Sequence, residues 1–172
     1  MNIEDSNLKR IVIIGAGFAG LQLAQSLKKS NYQVVLIDKF NFHQFQPLFY
    51  QVATAGLEPS SISFPLRKIF QGYKNIHIRV TQVEKIDTDN QILVTHLGTL
   101  KYDYLVLAMG CTSHYFGNEN IKKYAMPMKS VSEALALRNK ILQNLEDALT
   151  TDNEAERLAL MNIVIEIGRA HV

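Results

Sequence analysis

From residue 11 to residue 14 every position is apolar and β-branched, and the run stops at a glycine. A short, unbroken run of this kind predicts a strand buried on both faces. The period then changes: Gly20, Leu23, Ala24 and Leu27 recur at i, i+3, i+4 and i+7. This predicts a helix over residues 17 to 29, with Lys28 and Lys29 in the last turn, where cations complement the helix dipole. Residues 33 to 37 (QVVLI) form a second buried strand. Strand, helix and strand in this order predict a right-handed crossover between parallel strands, and therefore the α/β class.

Two short helices are expected next, the first opening at Pro47 and closing near Gly56, the second around Pro65 to Phe70 before Gly72, each using proline early and glycine late. Residues 76 to 80, 82 to 86, 92 to 96 and 101 to 108 read as strands, with turns at Asp89-Asn90 and Gly98. Their close spacing predicts a small antiparallel β-meander attached to the main sheet. The run 104 to 109 is apolar after its first residue and ends at Gly110, which places it back in the central parallel sheet with its end beside that of the first strand. Ser130 and Glu133 form a capping box. Val131, Ala134, Leu135, Ile141, Leu142, Leu145, Ala148 and Leu149 then keep helical period, predicting a long amphipathic helix over residues 131 to 149. After a polar turn a shorter helix leads into residues 161 to 165 (MNIVI), which read as another buried strand.

Composition narrows the function without altering this picture. With 47% hydrophobic and 20% charged residues among 172, the chain suits an ordinary globular domain and neither a disordered nor a collagen-like one. Eighteen Lys and Arg against 16 Asp and Glu leave a net charge of +2, too balanced for the basic field of sequence-independent nucleic-acid binding, so no nucleic acid is expected as partner. The one cysteine, Cys111, can form no internal disulfide, and no structural metal site is expected; a reducing compartment fits. No signal peptide is read, and no apolar run approaches the roughly 18 residues of a membrane span.

Gly15, Gly17 and Gly20 form a GxGxxG motif between the first strand and its helix. The first glycine permits the tight turn, the second lets the backbone approach a pyrophosphate, and the third packs helix on strand. Phe18 and Ala19 open the helix whose N–H groups and dipole would hold the phosphate charge. Asp38 ends the second strand, where an acid accepts hydrogen bonds from an adenosine ribose. Lys39 beside it would suit a phosphorylated ribose, although a solvated lysine is the simpler account. Dinucleotide binding is expected, against the plainer reading of a glycine turn and a surface aspartate.

Residues 102 to 110 (YDYLVLAMG) resemble the second FAD-binding signature of flavoproteins with two dinucleotide-binding domains, an apolar strand ending in Ala-x-Gly, here Ala108 and Gly110. The resemblance implies FAD as cofactor, with its adenine held by main-chain groups at Val83 or a neighbour. In residues 45 to 54 (FQPLFYQVAT), Phe45, Leu48, Phe49 and Val52 have helical spacing and read as core. This block, with Asn41, His43, Ile62, Pro65, Leu66 and Arg67, resembles the corresponding region of type II NADH dehydrogenases, the single-subunit NADH:quinone oxidoreductases. These belong to a wider group of FAD-dependent pyridine nucleotide-disulfide oxidoreductase-like proteins. The resemblance continues through Pro127-Met128-Lys129-Ser130, Glu133-Ala134-Leu135 and Arg138 to Ile165. It implies that Gln51, Val52, Ala53 and Thr54 line the flavin; His43 and Arg67 read as polar surface or loop residues rather than catalytic ones.

The activity so implied passes hydride from NADH to FAD and electrons onward to a membrane quinone, with no obligatory acid, base or nucleophile in this chain. The implied division assigns residues 1–128 to an FAD-binding domain, 129–160 to a helical connection and 161–165 to the first strand of a truncated NADH-binding domain. A missing C-terminal part would supply the NADH and quinone sites and attach the protein peripherally to the cytoplasmic side of the cell membrane; a homodimer is compatible with this. The fragment alone is not expected to turn over. Residues 166–172 (EIGRAHV) match one reading frame of a common sequencing adapter and are expected to be a non-native tail. Two alternatives stand beside this reading: a stand-alone NAD-binding module, and a related flavoprotein of sulfide:quinone or ferredoxin reductase type. Residues 40 to 70 carry no redox cysteine pair. Cys111 is expected to have neither a resolving partner nor a cationic helix end beside it.

Overall fold

The structure, a computed structural model, describes residues 1–166. Along the chain its elements are β1 (Arg10–Ile14), α1 (Phe18–Ser26), β2 (Gln33–Asp38), β3 (Phe42–Gln44), α2 (Phe49–Ala53), β4 (Ser63–Pro65), α3 (Leu66–Ile69), β5 (Ile76–Val80) and β6 (Val83–Asp87). There follow β7 (Ile92–Thr95), β8 (Gly98–Lys101), β9 (Tyr104–Leu107), α4 (Glu119–Tyr124), α5 (Val131–Thr150) and α6 (Glu154–Met161). The described residues divide into two compact units, one made of Met1–His43 with Ser63–Gly110, the other of Gln44–Ile62 with the chain from Cys111 to residue 166.

The first unit is built on a four-stranded sheet of order β5-β2-β1-β9, in which every pairing is parallel. Ile14 stands level with both Ile37 and Leu107, so three strands end together where the glycine motif begins. The expected parallel pairing of the first two strands and the placing of the 104-to-109 run beside the first strand both hold. Alternate residues of the central strands serve opposite faces. Ile11, Ile13, Val34 and Leu36 pack with Ala24 of α1 and with Leu66 and Phe70, while Val12, Ile14, Val35 and Ile37 pack with Leu93 and Leu100. One face is thus covered by helices and the other by the antiparallel meander β6-β7-β8. Each such buried aliphatic side chain contributes about 1.5–3 kcal/mol.

Several boundaries differ from expectation. The strand read over 101 to 108 is two strands: β8 stays in the meander and β9 joins the main sheet. Asp103 makes the break, its Oδ2 accepting the Arg10 N–H at 2.6 Å and its own N–H donating to the Arg10 carbonyl at 3.0 Å. These bonds tie Asp103 to the start of β1, so the chain leaves the meander there and enters the main sheet. β9 is also an edge strand, so Leu107 is exposed rather than buried on both sides. α1 stops at Ser26, not residue 29. The Asn75 amide takes the Leu27 carbonyl at 3.0 Å, and Lys28, outside the helix, lies over the Tyr73 ring at 5.1 Å. The first of the two expected short helices is a 3-10 turn, Gln46–Leu48, running into α2. A two-stranded ribbon of β3 and β4 and the short helix α4 were not legible in the hydrophobic pattern.

In the second unit Phe49, Val52, Ala53 and Ile62 pack against Val131 and Ala134. Phe45, expected in that core, is exposed, because the chain is still outside the helical turn at this position. The Ser130 hydroxyl caps α5 by accepting the Glu133 N–H at 3.2 Å. Glu133 reaches back to the N–H of Lys129 at 2.7 Å rather than to that of Ser130, and Gln44 accepts the Val131 N–H at 2.8 Å. Two of the orphan donors of this helix start, those of Val131 and Glu133, are thereby satisfied. The far half of the expected apolar stripe is not core: Ala148 is buried, but Leu142, Leu145 and Leu149 are exposed.

The strand expected at 161 to 165 is absent. Met161 closes α6, residues 162–166 have no regular structure, and Ile163, Val164 and Ile165 are exposed. A strand exists only beside a partner that takes its N–H and C=O groups, and none is present among the described residues. Of the expected tail, residues 167–172 lie outside the described residues. Among the described residues no helix is long and apolar enough to cross a membrane.

Candidate functional site

The turn after β1 is shaped by what its glycines leave out. Gly15 sits at φ +102°, and a β-carbon on it would stand 2.3 Å from the Ala108 carbonyl oxygen. Only glycine takes this φ and permits this approach. The Gly15 N–H donates to the Ile37 carbonyl and the Ala108 N–H to the Ile14 carbonyl, each at 2.7 Å, so the loop is pinned to the ends of β2 and β9 at once. Gly17, by contrast, has no atom within 4 Å of an added β-carbon. It is the N-cap of α1, which has no side-chain cap and no acid in its first turn. The positive end of the helix therefore opens on space beside a residue without a side chain, with Phe18 and Ala19 exposed around it. That is the arrangement of an anion site.

Asp38 stands at the end of β2 and faces the same loop. Its Oδ2 accepts the Ala16 N–H at 2.6 Å and its Oδ1 the Phe40 N–H at 2.8 Å. A carboxylate has about four acceptor sites, so lone pairs remain for ribose hydroxyls. The adjoining Lys39 is exposed. Thr81 donates its N–H to the Asp38 carbonyl at 2.9 Å, which brings Val83 close along the chain. Val83 starts β6, the edge of the meander, where half of the main-chain groups face away from β7. Ala108 is half-buried, and Gly110 is exposed at φ +71°. Gly15, Gly17, Phe18, Ala19, Gly20, Asp38, Lys39, Val83, Ala108 and Gly110 all belong to the first unit.

Gln51, Val52, Ala53 and Thr54 belong to the second unit. There Val52 and Ala53 are buried in the core, so their side chains are committed to packing. Gln51 and Thr54 are exposed; the Thr54 hydroxyl donates to the Tyr50 carbonyl at 2.9 Å.

Two expectations are corrected. His43, read as a surface or loop residue, is only 5% exposed. Its Nδ1 lies 2.8 Å from the Ala16 carbonyl oxygen, and the Phe18 ring meets it edge-on at 5.3 Å. No motif rule marks a histidine five residues beyond a strand end; the signal was its place in a block with a family resemblance. Cys111, expected to have no cationic helix end beside it, has at 3.9 Å from its Sγ the Nζ of Lys129, the residue just before the N-cap of α5. Arg67 is exposed as expected and donates to Asn41 Oδ1 at 2.8 Å.

Comparison with known proteins agrees with this geometry. Over 160 residues the chain is 36% identical to the type II NADH:quinone oxidoreductase Ndh of Mycobacterium tuberculosis, covering 91% of this chain and 35% of that protein. The structure of a sulfide:quinone oxidoreductase from Aquifex aeolicus superposes with a TM-score of 0.72 at 30% identity, over 81% of this chain and 32% of that one. The structure of NDH2 from Plasmodium falciparum superposes at 0.80 over 88% of this chain and 32% of that one; at 24% identity it speaks for the fold alone. The chain thus spans about a third of the length of the relatives it matches. The family described as pyridine nucleotide-disulphide oxidoreductase matches residues 9–165, and this chain, with its parallel sheet and its glycine loop at the strand ends, belongs to that family.

Proposed function

We propose that this chain is the FAD-binding part of a flavin-dependent NADH:quinone oxidoreductase. The observation that carries the reading is the uncapped start of α1, opening at Gly17 between the ends of β2 and β9. Main-chain N–H groups of Gly17, Phe18 and Ala19 would hold the pyrophosphate, with Gly15 and Gly20 giving the loop its shape. Asp38 would accept hydrogen bonds from the adenosine ribose, and main chain at Val83 would meet the adenine. Ala108 and Gly110 offer small residues at the strand end, where the cofactor lies close to the backbone. In the second unit, Gln51 and Thr54 keep polar groups exposed and are the residues of that stretch available to a flavin. The chemistry that FAD supplies when bound is acceptance of a hydride from NADH and delivery of the electrons to a quinone, and the protein's part is to bind and orient it.

In this reading residues 1–128 serve the FAD-binding domain, 129–160 connect it, and the chain beyond leads to a domain for NADH. The remainder of the protein would supply the NADH and quinone sites, peripheral attachment at the cytoplasmic face of the membrane, and any homodimer contact. The similarity to Ndh supports quinone as acceptor. The similarity to a sulfide:quinone oxidoreductase supports a second reading, in which sulfide replaces NADH as donor; a single cysteine in this chain weighs against it. The test is to purify the full-length protein, record its flavin absorbance and follow quinone reduction with NADH or with sulfide. Flavin with NADH-dependent turnover supports the proposal. A protein that cannot be loaded with FAD would overturn it, and turnover with sulfide alone would favour the second reading.

A further inference from the structure

The Ala16 peptide groups are held from both sides. The N–H of Ala16 donates to Asp38 at 2.6 Å, and its carbonyl oxygen lies 2.8 Å from His43 Nδ1. A carbonyl can only accept, so Nδ1 carries the proton and donates. His43 is buried, and so is Ala16; the bond is shielded from competing water. The imidazole is steadied by the Phe18 ring, edge-on at 5.3 Å and 80°. In a planar trans peptide the C=O of one residue and the N–H of the next point in opposite directions. Holding the Ala16 carbonyl toward His43 therefore turns the Gly17 N–H away from it, at the residue where an added β-carbon meets nothing within 4 Å.

From this geometry we infer that His43 is a positioning residue for the dinucleotide: its Nδ1–H fixes the Ala16–Gly17 peptide plane so that the Gly17 N–H is presented to the pyrophosphate. The inference rests on the FAD-binding reading above and adds to it a residue that touches the loop rather than the cofactor. Without the Nδ1 donor the plane is free to rotate, and in the flipped state a carbonyl oxygen replaces an N–H facing the anion. The Asp38 bond to the Ala16 N–H belongs to the preceding peptide and cannot prevent this flip.

The test uses the full-length protein, stripped of flavin and titrated with FAD. His43→Leu keeps apolar bulk without a donor, and FAD affinity is expected to fall tenfold to a hundredfold. His43→Asn places an amide N–H near the position of Nδ1 and is expected to stay within about threefold of the parent. ³¹P NMR of bound FAD supplies a readout that loss of packing alone would not move: the pyrophosphate resonances should shift in the leucine variant and stay in place in the asparagine variant. Parent-like affinity and unshifted phosphorus signals in His43→Leu would overturn the inference while leaving FAD binding intact. If the unsubstituted protein takes up no FAD, the functional reading fails instead. Should His43→Leu not fold, His43→Gln, whose amide reaches farther than Nδ1, decides: weaker binding than His43→Asn supports the positioning role, and equal binding refutes it.

Discussion

A β-carbon on Gly20 would stand 1.8 Å from the carbonyl oxygen of Gly15. The first turn of α1 can lie against its own entry loop only because residue 20 has no side chain. Gly20→Ala is expected to destabilise the protein by about 3 kcal/mol, since the clash is with backbone that cannot rotate aside. Gly17→Ala should behave differently. Gly17 has φ −68° and open space around it, so stability should change by less than about 0.5 kcal/mol. In the proposed site the new methyl would nevertheless stand where the pyrophosphate is placed, and flavin affinity should fall by about tenfold or more, roughly 1.4 kcal/mol. Urea denaturation and FAD titration of the two variants separate these effects. A Gly17→Ala protein that loses stability as Gly20→Ala does, yet binds FAD normally, would reverse the roles assigned to these glycines.

Asp38 serves the fold and the proposed ribose contact together. Asp38→Ala leaves the Ala16 and Phe40 N–H groups without their present acceptors, at a cost of about 1–3 kcal/mol in stability. Loss of hydrogen bonds to a charged acceptor should also weaken FAD by roughly 1.5 to 3 kcal/mol, about tenfold to a hundredfold. Asp38→Asn keeps one acceptor oxygen and should fall between the parent and Asp38→Ala in both measurements. Retained affinity in the alanine variant, measured by titration of the apoprotein, would remove Asp38 from the site.

What could be read in advance followed the strength of the local pattern. Four β-branched residues before a glycine, or a repeat at i, i+3, i+4 and i+7, describe elements whose burial their own sequence dictates, and β1, α1 and β2 formed accordingly. β9 has the same apolar character, but its neighbours made it an edge strand, which no property of the segment announces. Leu142, Leu145 and Leu149 keep period in α5 yet are exposed, because a stripe becomes core only where another element covers it. At the candidate site the tight glycine turn after β1 and the place of Asp38 at the end of β2 were legible, since spacing fixes both. His43 was not, because its role depends on the Ala16 carbonyl, 27 residues earlier in the chain.

Acidification should weaken the fold in two windows. Burial, with the positive charges of Arg79 and Arg10, holds the His77 pKa below its ordinary value of 6.5, against a smaller opposing effect of Glu4. The unfolded chain then takes up the proton first, so stability is complete above pH 6.5 and declines as pH falls from there toward the folded pKa. Asp87 adds a lower window. Hydrogen bonds from Asn90 hold its carboxyl below the ordinary value of 3.8, and its contribution, present above that value, is lost as pH falls through the folded pKa. His77→Gln should flatten the upper window and leave the lower one. Urea midpoints from about pH 8 to pH 3 test this; an unchanged slope near pH 6 in the variant would show that His77 is not the titrating group.

The last prediction concerns Cys111, the single cysteine of the chain. A thiol can relay electrons by forming a disulfide or a mixed disulfide, and either requires a second sulfur. Lys129 supplies a cation at 3.9 Å from the sulfur, which is a feature of reactive thiols, but no other residue of this chain can resolve an oxidised one. If the full-length protein has the proposed activity, Cys111→Ala in it is therefore expected to leave quinone reduction nearly unchanged, apart from a small packing loss at a half-buried position. Stopped-flow spectroscopy separates flavin reduction by NADH from its reoxidation by quinone. If the variant were reduced normally but reoxidised a hundredfold more slowly, about 2.7 kcal/mol on the barrier, the thiol would have to act with a sulfur from the remainder of the protein. The chain would then stand closer to the sulfide-oxidising relatives than to those that use NADH.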